Sequence, residues 1–260
     1  MMAFDPIELS KRIELLVCKE DCGEVLRRYY RFRGGRWYGG IATADCVGCN
    51  LRCKFCWSWG RGSFTVRSGD FYTPYDVFRR IRNIASRRGY RFVRVSGGEP
   101  TLCRKHLIKL LNYFSNTRYI FILETNGILI GYYDDYAKQL SKYRNLVVRV
   151  SLKGTSPDEF EYLTGAQSKF FEYQLEAIRK LIEYGMEPGE QVYPAVMLSF
   201  SKPDNIRELV RKLYEIDPIL PKSIDPEYVI LYPHVKKLMD RYGLKPYKAF
   251  DPQSIPKYMI

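Results

Sequence analysis

Histidine is scarce in this 260-residue sequence, which has 2 His against 7 Cys. This ratio favours thiol chemistry over imidazole chemistry. No apolar run approaches the roughly 18 residues that a membrane-spanning helix needs. No internal repeat, low-complexity tract or Gly/Ser-rich linker divides the chain either, which excludes solenoid and linked-module architectures.

The first residues also lack the apolar core of a secretory signal peptide. Charged side chains interrupt this stretch repeatedly, at Asp5, Glu8, Lys11, Arg12 and Glu14. We therefore predict a cytoplasmic protein that does not associate with a membrane.

Basic residues outnumber acidic ones, 42 to 29, which gives a formal net charge of +13 and a pI near 9.3. The 22 Tyr add an aromatic surplus. Two interpretations stay open. A polyanionic partner such as RNA would use cations and aromatic rings together, whereas a charged surface of the kind that thermophilic proteins favour would need no partner.

Strand-like and helix-like segments alternate along the chain. The predicted strands are 40–45, 92–96, 119–123, 146–152, 191–200 and 227–232. The predicted helices are 73–88, 104–114, 132–143, 170–184 and 205–214. This alternation predicts a parallel sheet with right-handed crossovers, and six repeats are too few for a closed eight-stranded barrel. We expect an α/β fold with either an open, partial barrel or a doubly wound sheet.

In both folds, ligands bind at the carboxyl ends of the strands. The first predicted strand runs directly into a cysteine-rich loop, Cys46-Val-Gly-Cys49-Asn-Leu-Arg-Cys53-Lys-Phe-Cys56. Thiolates are soft ligands that suit zinc and iron–sulfur clusters. Three thiolates in one loop would wrap one compact cluster and leave one iron open, and an open coordination position is what chemistry needs.

Polar motifs also follow the next three predicted strands. They are Ser96-Gly97-Gly98-Glu99-Pro100-Thr101, Glu124-Thr125-Asn126-Gly127 and Ser151-Leu152-Lys153-Gly154. Two glycines let a ligand approach the backbone closely, and the carboxylate beside them can accept hydrogen bonds from an ammonium group. Ordinary turn chemistry is an alternative explanation of the Asn-Gly and Lys-Gly pairs.

Together these motifs resemble the radical S-adenosylmethionine (SAM) superfamily over roughly residues 38–200. The resemblance implies a partial, open six-stranded β/α barrel with an N-terminal cover. It also implies that a [4Fe-4S] cluster is bound by Cys49, Cys53 and Cys56. The implied contacts to SAM are Phe55, Gly97, Gly98, Glu99, Asn126, Ser151 and Lys153. Glu99 matches the carboxylate that holds the amino group of the SAM methionine, and no residue stands out as a general acid or base.

Within the superfamily, the sequence is most similar to glycyl-radical-enzyme activases of the pyruvate formate-lyase activase type. Those activases usually have Asp where Ser151 stands, and His-Asn in place of Trp57-Ser58. The resemblance implies reductive cleavage of SAM to a 5′-deoxyadenosyl radical, which abstracts hydrogen from a protein or peptide. A one-electron donor such as ferredoxin or flavodoxin would be the partner. The alternatives are an RNA (tRNA) nucleotide as substrate and a non-enzymatic zinc or iron–sulfur protein.

Four cysteines lie outside that motif: Cys18, Cys22, Cys46 and Cys103. Four thiols are enough for a second metal, either a cluster or a zinc ion, and Cys18 and Cys22 would share a face if residues 16–26 were helical. Alternatively, each packs as a small buried hydrophobe. No cysteine follows Cys103, so we expect no C-terminal cysteine-rich extension of the kind that peptide-maturing radical SAM enzymes carry.

We expect three segments: a cover over residues 1–37, the radical SAM core over 38–243 and a tail over 244–260 that packs on the core. The stretch 27–38 is rich in Arg and aromatic residues, and more Arg follow between 79 and 91. Arg pairs with phosphates and aromatic rings stack on bases, which fits an RNA-binding surface. Alternatively, the aromatic residues cover the open side of the barrel and the Arg side chains are solvated.

Overall fold

The computed structural model describes residues 2–256. Its strands are β1 (Cys18–Asp21), β2 (Glu24–Gly35), β3 (Ile41–Cys46), β4 (Asp70–Tyr72), β5 (Phe92–Gly97), β6 (Ile120–Thr125), β7 (Leu146–Leu152), β8 (Val192–Met197), β9 (Asp225–Glu227), β10 (Val229–Ile230) and β11 (Ala249–Phe250). Its helices are α1 (Pro6–Val17), α2 (Pro74–Arg88), α3 (Arg104–Ser115), α4 (Ile128–Tyr132), α5 (Asp134–Leu140), α6 (Pro157–Thr164), α7 (Phe170–Glu183), α8 (Pro203–Ile216) and α9 (Pro233–Arg241). In this part of the chain, no helix is both long and apolar enough to cross a membrane.

One sheet organises the molecule, and its centre is parallel. Six strands lie side by side in the order β3-β5-β6-β7-β8-β9, and every neighbouring pair is parallel. The long strand β2 pairs antiparallel with β3, while β1 and β4 both pair with β2. Over residues 2–256 the strand order is linear, so the barrel is open. The predicted α/β fold with six parallel strands is confirmed.

The two faces of the parallel strands differ because side chains alternate along a strand. In β5, Val93 and Val95 are buried in the hydrophobic core, whereas Arg94 and Ser96 line a cavity on the opposite face. The same short segment therefore contributes apolar side chains to an outer face that helices cover and polar side chains to the inner face. The carboxyl ends of these strands meet at one edge of the sheet.

Helix α2 shows how local sequence sets the helix boundaries. Thr73 is its N-cap and accepts a hydrogen bond from the backbone N–H of Asp76, and Pro74 occupies the first turn. Gly89 closes the helix in the left-handed conformation, which glycine adopts without steric cost. Buried Val77 and Ile81 lie four residues apart and face the core.

The prediction differs from the structure at several element boundaries. The predicted helix 132–143 is instead two short helices, α4 and α5, because Tyr133 between them is extended (φ −101°, ψ 107°). The predicted strand 227–232 is divided, since β9 ends at Glu227 and β10 pairs with β11. Helices α6 and α9 have no counterpart among the predicted elements.

The segment before the core contains α1 and two strands. Residues 18–21 and 24–35 are extended, so the helix considered for residues 16–26 is wrong there. Strand β2 contributes hydrogen bonds to the edge of β3 along most of its length. Residues 257–260 of the predicted tail, like Met1, lie outside the described residues.

Candidate functional site

A large cavity lies at the carboxyl edge of the parallel strands, with a volume of about 1140 Å³. All ten residues that the sequence analysis singled out line it: Cys49, Cys53, Phe55, Cys56, Gly97, Gly98, Glu99, Asn126, Ser151 and Lys153. They come from the cysteine loop and from the ends of three strands, far apart in sequence. The structure thus brings the whole predicted set together.

The three thiols of the cysteine loop are free. The Cys49 sulfur accepts a hydrogen bond from the backbone N–H of Leu51 at 3.4 Å, and the Cys56 thiol donates to Ser63 Oγ at 3.3 Å. Burial raises the pKa of Cys49 well above its ordinary value and that of Cys53 to about 12. Without a metal these two thiols are therefore protonated at neutral pH, and binding a metal would release protons.

The donor set fits an iron–sulfur cluster better than a single ion. Within residues 2–256, no three His, Cys, Asp or Glu side chains are grouped closely enough to hold one metal ion. A cluster has its own sulfides between the irons and so accepts thiolates that are spread around one cavity. In the same loop, Asn50 Nδ2 is buried and has no hydrogen-bond partner among the described residues. A sulfide or thiolate would supply the acceptor that this donor lacks.

Glu99 is almost fully buried, and its carboxylate is held by the ends of two strands. Oε1 accepts hydrogen bonds from the backbone N–H and hydroxyl of Thr101 (3.1 and 2.7 Å) and from the Thr125 hydroxyl (2.6 Å). Oε2 accepts from the backbone N–H of Asn126 at 2.8 Å. Glu99 also caps the short 3₁₀ turn Pro100–Leu102. With one N–H bound, Oε2 can still accept another donor, such as an ammonium group.

The glutamate motif and the cysteine loop approach each other so closely that Gly97 and Gly98 leave no room for a side chain. A β-carbon on Gly98 would lie 2.1 Å from the carbonyl oxygen of Gly48, and Gly97 has φ +91°. Across this contact, the Gly98 N–H donates to Cys46 O (2.8 Å) and the Glu99 N–H to Gly48 O (2.7 Å). The glutamate motif and the cysteine loop are therefore joined through their backbones.

The Asn126 side chain forms one hydrogen bond across the site and a second one that is ordinary turn chemistry. Its Nδ2 donates to Asn50 Oδ1 at 2.7 Å, and its Oδ1 accepts from the backbone N–H of Ile128 at 3.1 Å. Buried Gln174 of α7, which the sequence analysis missed, donates to the carbonyl oxygens of Asn126 (2.6 Å) and Ser151 (3.1 Å). A buried Gln in a helix that is otherwise apolar on its inner face was the available signal.

Lys153 belongs to a group of four charged side chains that we call the β9 end: Arg149, Lys153, Asp225 and Glu227. The sequence analysis predicted Lys153 as a site residue but missed the other three. Glu227 accepts from Arg149 at 2.6 Å and from the Ser151 hydroxyl at 2.7 Å, while Lys153 Nζ lies 3.5 Å from it. Burial alone would raise the pKa of Glu227, but Lys153 and Arg149 lower it to about 2.

The charges continue along the inner face of the sheet. On β5, Arg94 donates to Glu124 of β6 at 2.5 Å and to the Thr43 hydroxyl of β3 at 3.0 Å. At the other edge lies what we call the β2 end, in which Arg31 and Arg33 both donate to Asp45, at 2.6 and 2.8 Å. A lone Arg within an apolar strand segment, as in Phe92–Gly97 and Leu146–Leu152, was the sequence signal for this inward charge.

The four cysteines outside the cluster motif do not form the predicted second metal site among the described residues. Cys18 and Cys103 form a disulfide with their Cα atoms 6.0 Å apart, so neither sulfur is available as a ligand. Cys22 is exposed in the turn after β1, and Cys46 is buried, with its sulfur 3.2 Å from Arg27 Nη2. Two of the four cysteines are therefore in a disulfide that the sequence analysis did not predict, and buried Cys46 fits the alternative of a small packed side chain.

Arg27 of β2 is a further residue that the sequence did not single out by role. It is almost completely buried, and Nη2 donates to Glu99 O at 2.7 Å and to Val47 O at 3.4 Å. Its Nε and Nη1 have no hydrogen-bond partner in the described part of the chain. The Arg27 side chain thus links the cysteine loop to the glutamate motif through hydrogen bonds to their backbones.

Arg side chains cover the aromatic rings near α2. Arg80 lies over the rings of Phe32 and Tyr72, with its guanidinium carbon 5.2 and 4.8 Å from the ring centroids. Arg28 lies in the same way over Phe71, at 4.2 Å. Rings that are covered by the protein's own cations are less available to stack on bases. The arrangement favours the interpretation that this stretch packs on the molecule itself.

Two curated relatives match the central part of the chain. GTP 3′,8-cyclase of Alkaliphilus metalliredigens is 33% identical over 118 residues, and the probable GTP 3′,8-cyclase of Methanococcus vannielii is 36% identical over 118 residues. Each match covers 45% of this chain but only 35% and 37% of the two relatives. The chain therefore matches little more than a third of the length of these relatives.

A solved structure shares the fold. Streptococcus suis SuiB, bound to its precursor peptide SuiA, matches with a TM-score of 0.52 at 21% identity, over 66% of this chain and 37% of that one. At this level of identity the likeness concerns the fold alone.

Residues 45–213 match the sequence profile of the Radical SAM superfamily. That segment contains the cysteine loop and the strand-end motifs that line the cavity, and it is well over half of the chain. The superfamily prediction is confirmed, while the relatives above are named as GTP 3′,8-cyclases rather than as activases. The chain belongs to the Radical SAM superfamily, a family whose members carry a [4Fe-4S] cluster and use SAM.

Proposed function

We propose that this enzyme cleaves SAM reductively and that the resulting radical removes a hydrogen atom from a substrate bound in the cavity. The observation that carries the proposal is the convergence of three free thiols and the Glu99 carboxylate on one cavity. Thiols alone would serve a structural metal site. A buried carboxylate beside them, with an acceptor position left, is what a cosubstrate with an ammonium group needs.

In this proposal Cys49, Cys53 and Cys56 hold the cluster. When bound, the cluster supplies one electron that breaks the sulfur–carbon bond of SAM, giving methionine and a 5′-deoxyadenosyl radical, which takes a hydrogen atom from the substrate to become 5′-deoxyadenosine. The protein's part is to bind, to orient and to exclude water. Phe55, which is nearly buried and packs 5.5 Å from the Phe200 ring, contributes to that exclusion.

Two charged groups would orient SAM. Glu99 would accept from its ammonium, and Lys153 would pair with its carboxylate. Burial disfavours the ammonium form of Lys153, but attraction to the Glu227 carboxylate keeps its pKa above the ordinary value. Lys153 is therefore charged at neutral pH and able to pair with a carboxylate. The other proposed SAM contacts are Phe55, Gly97, Gly98, Asn126 and Ser151, with Phe55 offering its backbone to the adenine.

For the substrate, two classes follow from the motifs and the charge: a protein or peptide of the activase type, and a nucleotide. The relatives' name, GTP 3′,8-cyclase, supports a nucleotide over a glycyl site. The covered aromatic rings near α2 argue against a large RNA surface there. We therefore place a small nucleotide-like substrate first, with a cytoplasmic location and a ferredoxin or flavodoxin as electron donor.

The first test replaces one cluster ligand. Cys53→Ala is expected to lose the iron–sulfur absorbance and at least about a thousandfold of 5′-deoxyadenosine formation, because an activity that depends on a metal is lost with its ligand. Cys22→Ala is the matched control, since Cys22 is exposed and lies outside the cavity. Glu99→Gln is expected to keep the cluster absorbance and to weaken SAM binding. Iron loss from Cys22→Ala, or full activity in Cys53→Ala, would contradict the proposal.

The second test identifies the substrate class. Reduced, reconstituted enzyme is given SAM and cell extract that is intact, RNase-treated, protease-treated or passed through a small-molecule filter. Stimulation of 5′-deoxyadenosine formation that survives in the filtrate supports a small substrate. If protease treatment abolishes the stimulation, the substrate is a protein of the activase type. If RNase treatment abolishes it, the substrate is RNA.

A further inference from the structure

The β2 end of the cavity has one more positive charge than negative. Arg31 and Arg33 share a single carboxylate, Asp45, which is fully buried. Both use Nε toward the same oxygen, Oδ2, and Arg33 adds a contact from Nη2 to Oδ1 at 3.3 Å. One carboxylate can balance only one guanidinium, so this end of the cavity has a surplus of one positive charge.

Some N–H donors of the two guanidinium groups are also left without an acceptor in the protein. Both Nη atoms of Arg31 and Nη1 of Arg33 have no hydrogen-bond partner among residues 2–256. The two side chains line the cavity and are 42% and 23% exposed, so a ligand can reach them. By contrast, the guanidinium of Arg149 is bound to two carboxylates, Asp225 and Glu227.

The surplus lies close to the proposed reaction centre. Asp45 is opposite Arg31 in the β2–β3 pair and beside Ser96 in the β3–β5 pair. A β-carbon on Gly97 would lie 3.1 Å from the Asp45 β-carbon. Tyr30 also lines the cavity, and the Arg31 guanidinium lies over its ring at 5.6 Å. A ligand held by the two Arg side chains would therefore sit next to the Gly97–Glu99 motif.

We propose that Arg31 and Arg33 bind an anionic group of the substrate, a carboxylate or a phosphate. The inference rests on the proposed function, because it concerns the substrate of that reaction. Guanidinium groups bind both kinds of oxyanion through paired N–H donors. The anion is not the carboxylate of SAM, which we assign to Lys153, directly after β7. Four strand spacings separate β2 from β7, roughly 19 Å along the sheet at about 4.8 Å each, so the two groups start from different parts of the cavity wall.

The test measures binding of two probes, inorganic pyrophosphate and malonate, to the anaerobically reconstituted enzyme by calorimetry. Arg31→Gln and Arg33→Gln are each expected to weaken the bound probe at least about tenfold, as loss of a charge-assisted contact predicts. Arg31→Lys keeps the charge and recovers part of the affinity. Arg36→Gln is the matched control, because Arg36 follows β2 but does not line the cavity. Asp45→Asn removes the shared carboxylate and is expected to tighten probe binding.

The probes separate the two sources of the anion. Binding of pyrophosphate alone assigns a phosphate, and binding of malonate alone assigns a carboxylate. Probe affinity that is unchanged in both Gln variants, or no binding of either probe, overturns the inference. So does a comparable loss of SAM affinity in Arg31→Gln, because the pair would then belong to the SAM site. Failure of the proposed function looks different: no 5′-deoxyadenosine forms with any substrate source, whatever the probes do.

Discussion

The two ends of the inner face of the sheet are built from the same residue types but are balanced differently. At the β9 end, Arg149 and Lys153 face Asp225 and Glu227, so positive and negative charges match. At the β2 end, two guanidinium groups share one carboxylate and partly reach solvent. Charges that are matched neutralise one another, whereas an unmatched charge that lines a cavity is free to bind a ligand. The comparison indicates a structural role for Arg149, Asp225 and Glu227 at the β9 end, where Lys153 is the member that we assign to SAM. It indicates a binding role for both Arg side chains of the β2 end.

The largest expected effect is the loss of the carboxylate at the β9 end. Glu227→Gln leaves Arg149 and Lys153 short of a counter-charge in a buried setting, and breaking a buried pair in this way costs about 3–5 kcal/mol of the free energy of unfolding. Denaturant unfolding of both proteins measures the difference. Glu190→Gln is the matched control, because Glu190 is exposed. A loss below about 1 kcal/mol would contradict a structural role.

The next effect is a dependence on pH that belongs to the same carboxylate. The pKa of Glu227 is about 2 in the folded protein, against an ordinary value of 4.5. Its stabilising contribution is full above pH 4.5 and is lost as the pH falls toward 2, because the unfolded chain takes up the proton first. The difference in stability between wild type and Glu227→Gln should therefore narrow by about 2–3 kcal/mol over that window.

Urea unfolding of both proteins at pH 7, 4.5 and 3 checks this expectation. Comparison of the two proteins cancels the titration of the other carboxylates. A difference that stays constant from pH 7 to pH 3 would show that Glu227 is not held charged by its neighbours.

The smallest effect on stability is expected at the β2 end. Asp45→Asn removes the carboxylate that Arg31 and Arg33 share, but both guanidinium groups can turn to water, so the cost is about 1–2 kcal/mol. Urea unfolding of the Asp45→Asn and Glu227→Gln variants under the same conditions measures the two losses in the free energy of unfolding. If Asp45→Asn destabilises the protein as much as Glu227→Gln does, the two ends are equivalent and the contrast between them is lost.

The sequence predicted the strand ends well because chemistry and topology agree there. Strand–helix alternation predicts a parallel sheet, so residues directly after each strand had to meet at one edge. Each of the ten predicted residues does line the cavity. Their assigned roles toward the cluster and SAM stay predictions, which the substitutions above address.

The charged row along the sheet could not be predicted in the same way. Whether Arg31 faces the cavity depends on the register of β2 against β3, which shifts between Tyr29 and Arg31. A slip of one residue would turn every side chain of that strand to the other face. The pairing of Cys18 with Cys103 depends on contacts between segments 85 residues apart, and no local pattern encodes it.

The tight contact between Gly98 and Gly48 has a consequence for how the enzyme matures. The hydrogen bonds across it join peptide groups, from Gly98 to Cys46 and from Glu99 to Gly48, and none of them needs a metal. The cysteine loop is thus shaped by the chain itself, unlike a zinc finger, which folds only around its ion. Chelators should therefore remove a bound cluster without unfolding the protein, which circular dichroism before and after chelation would measure.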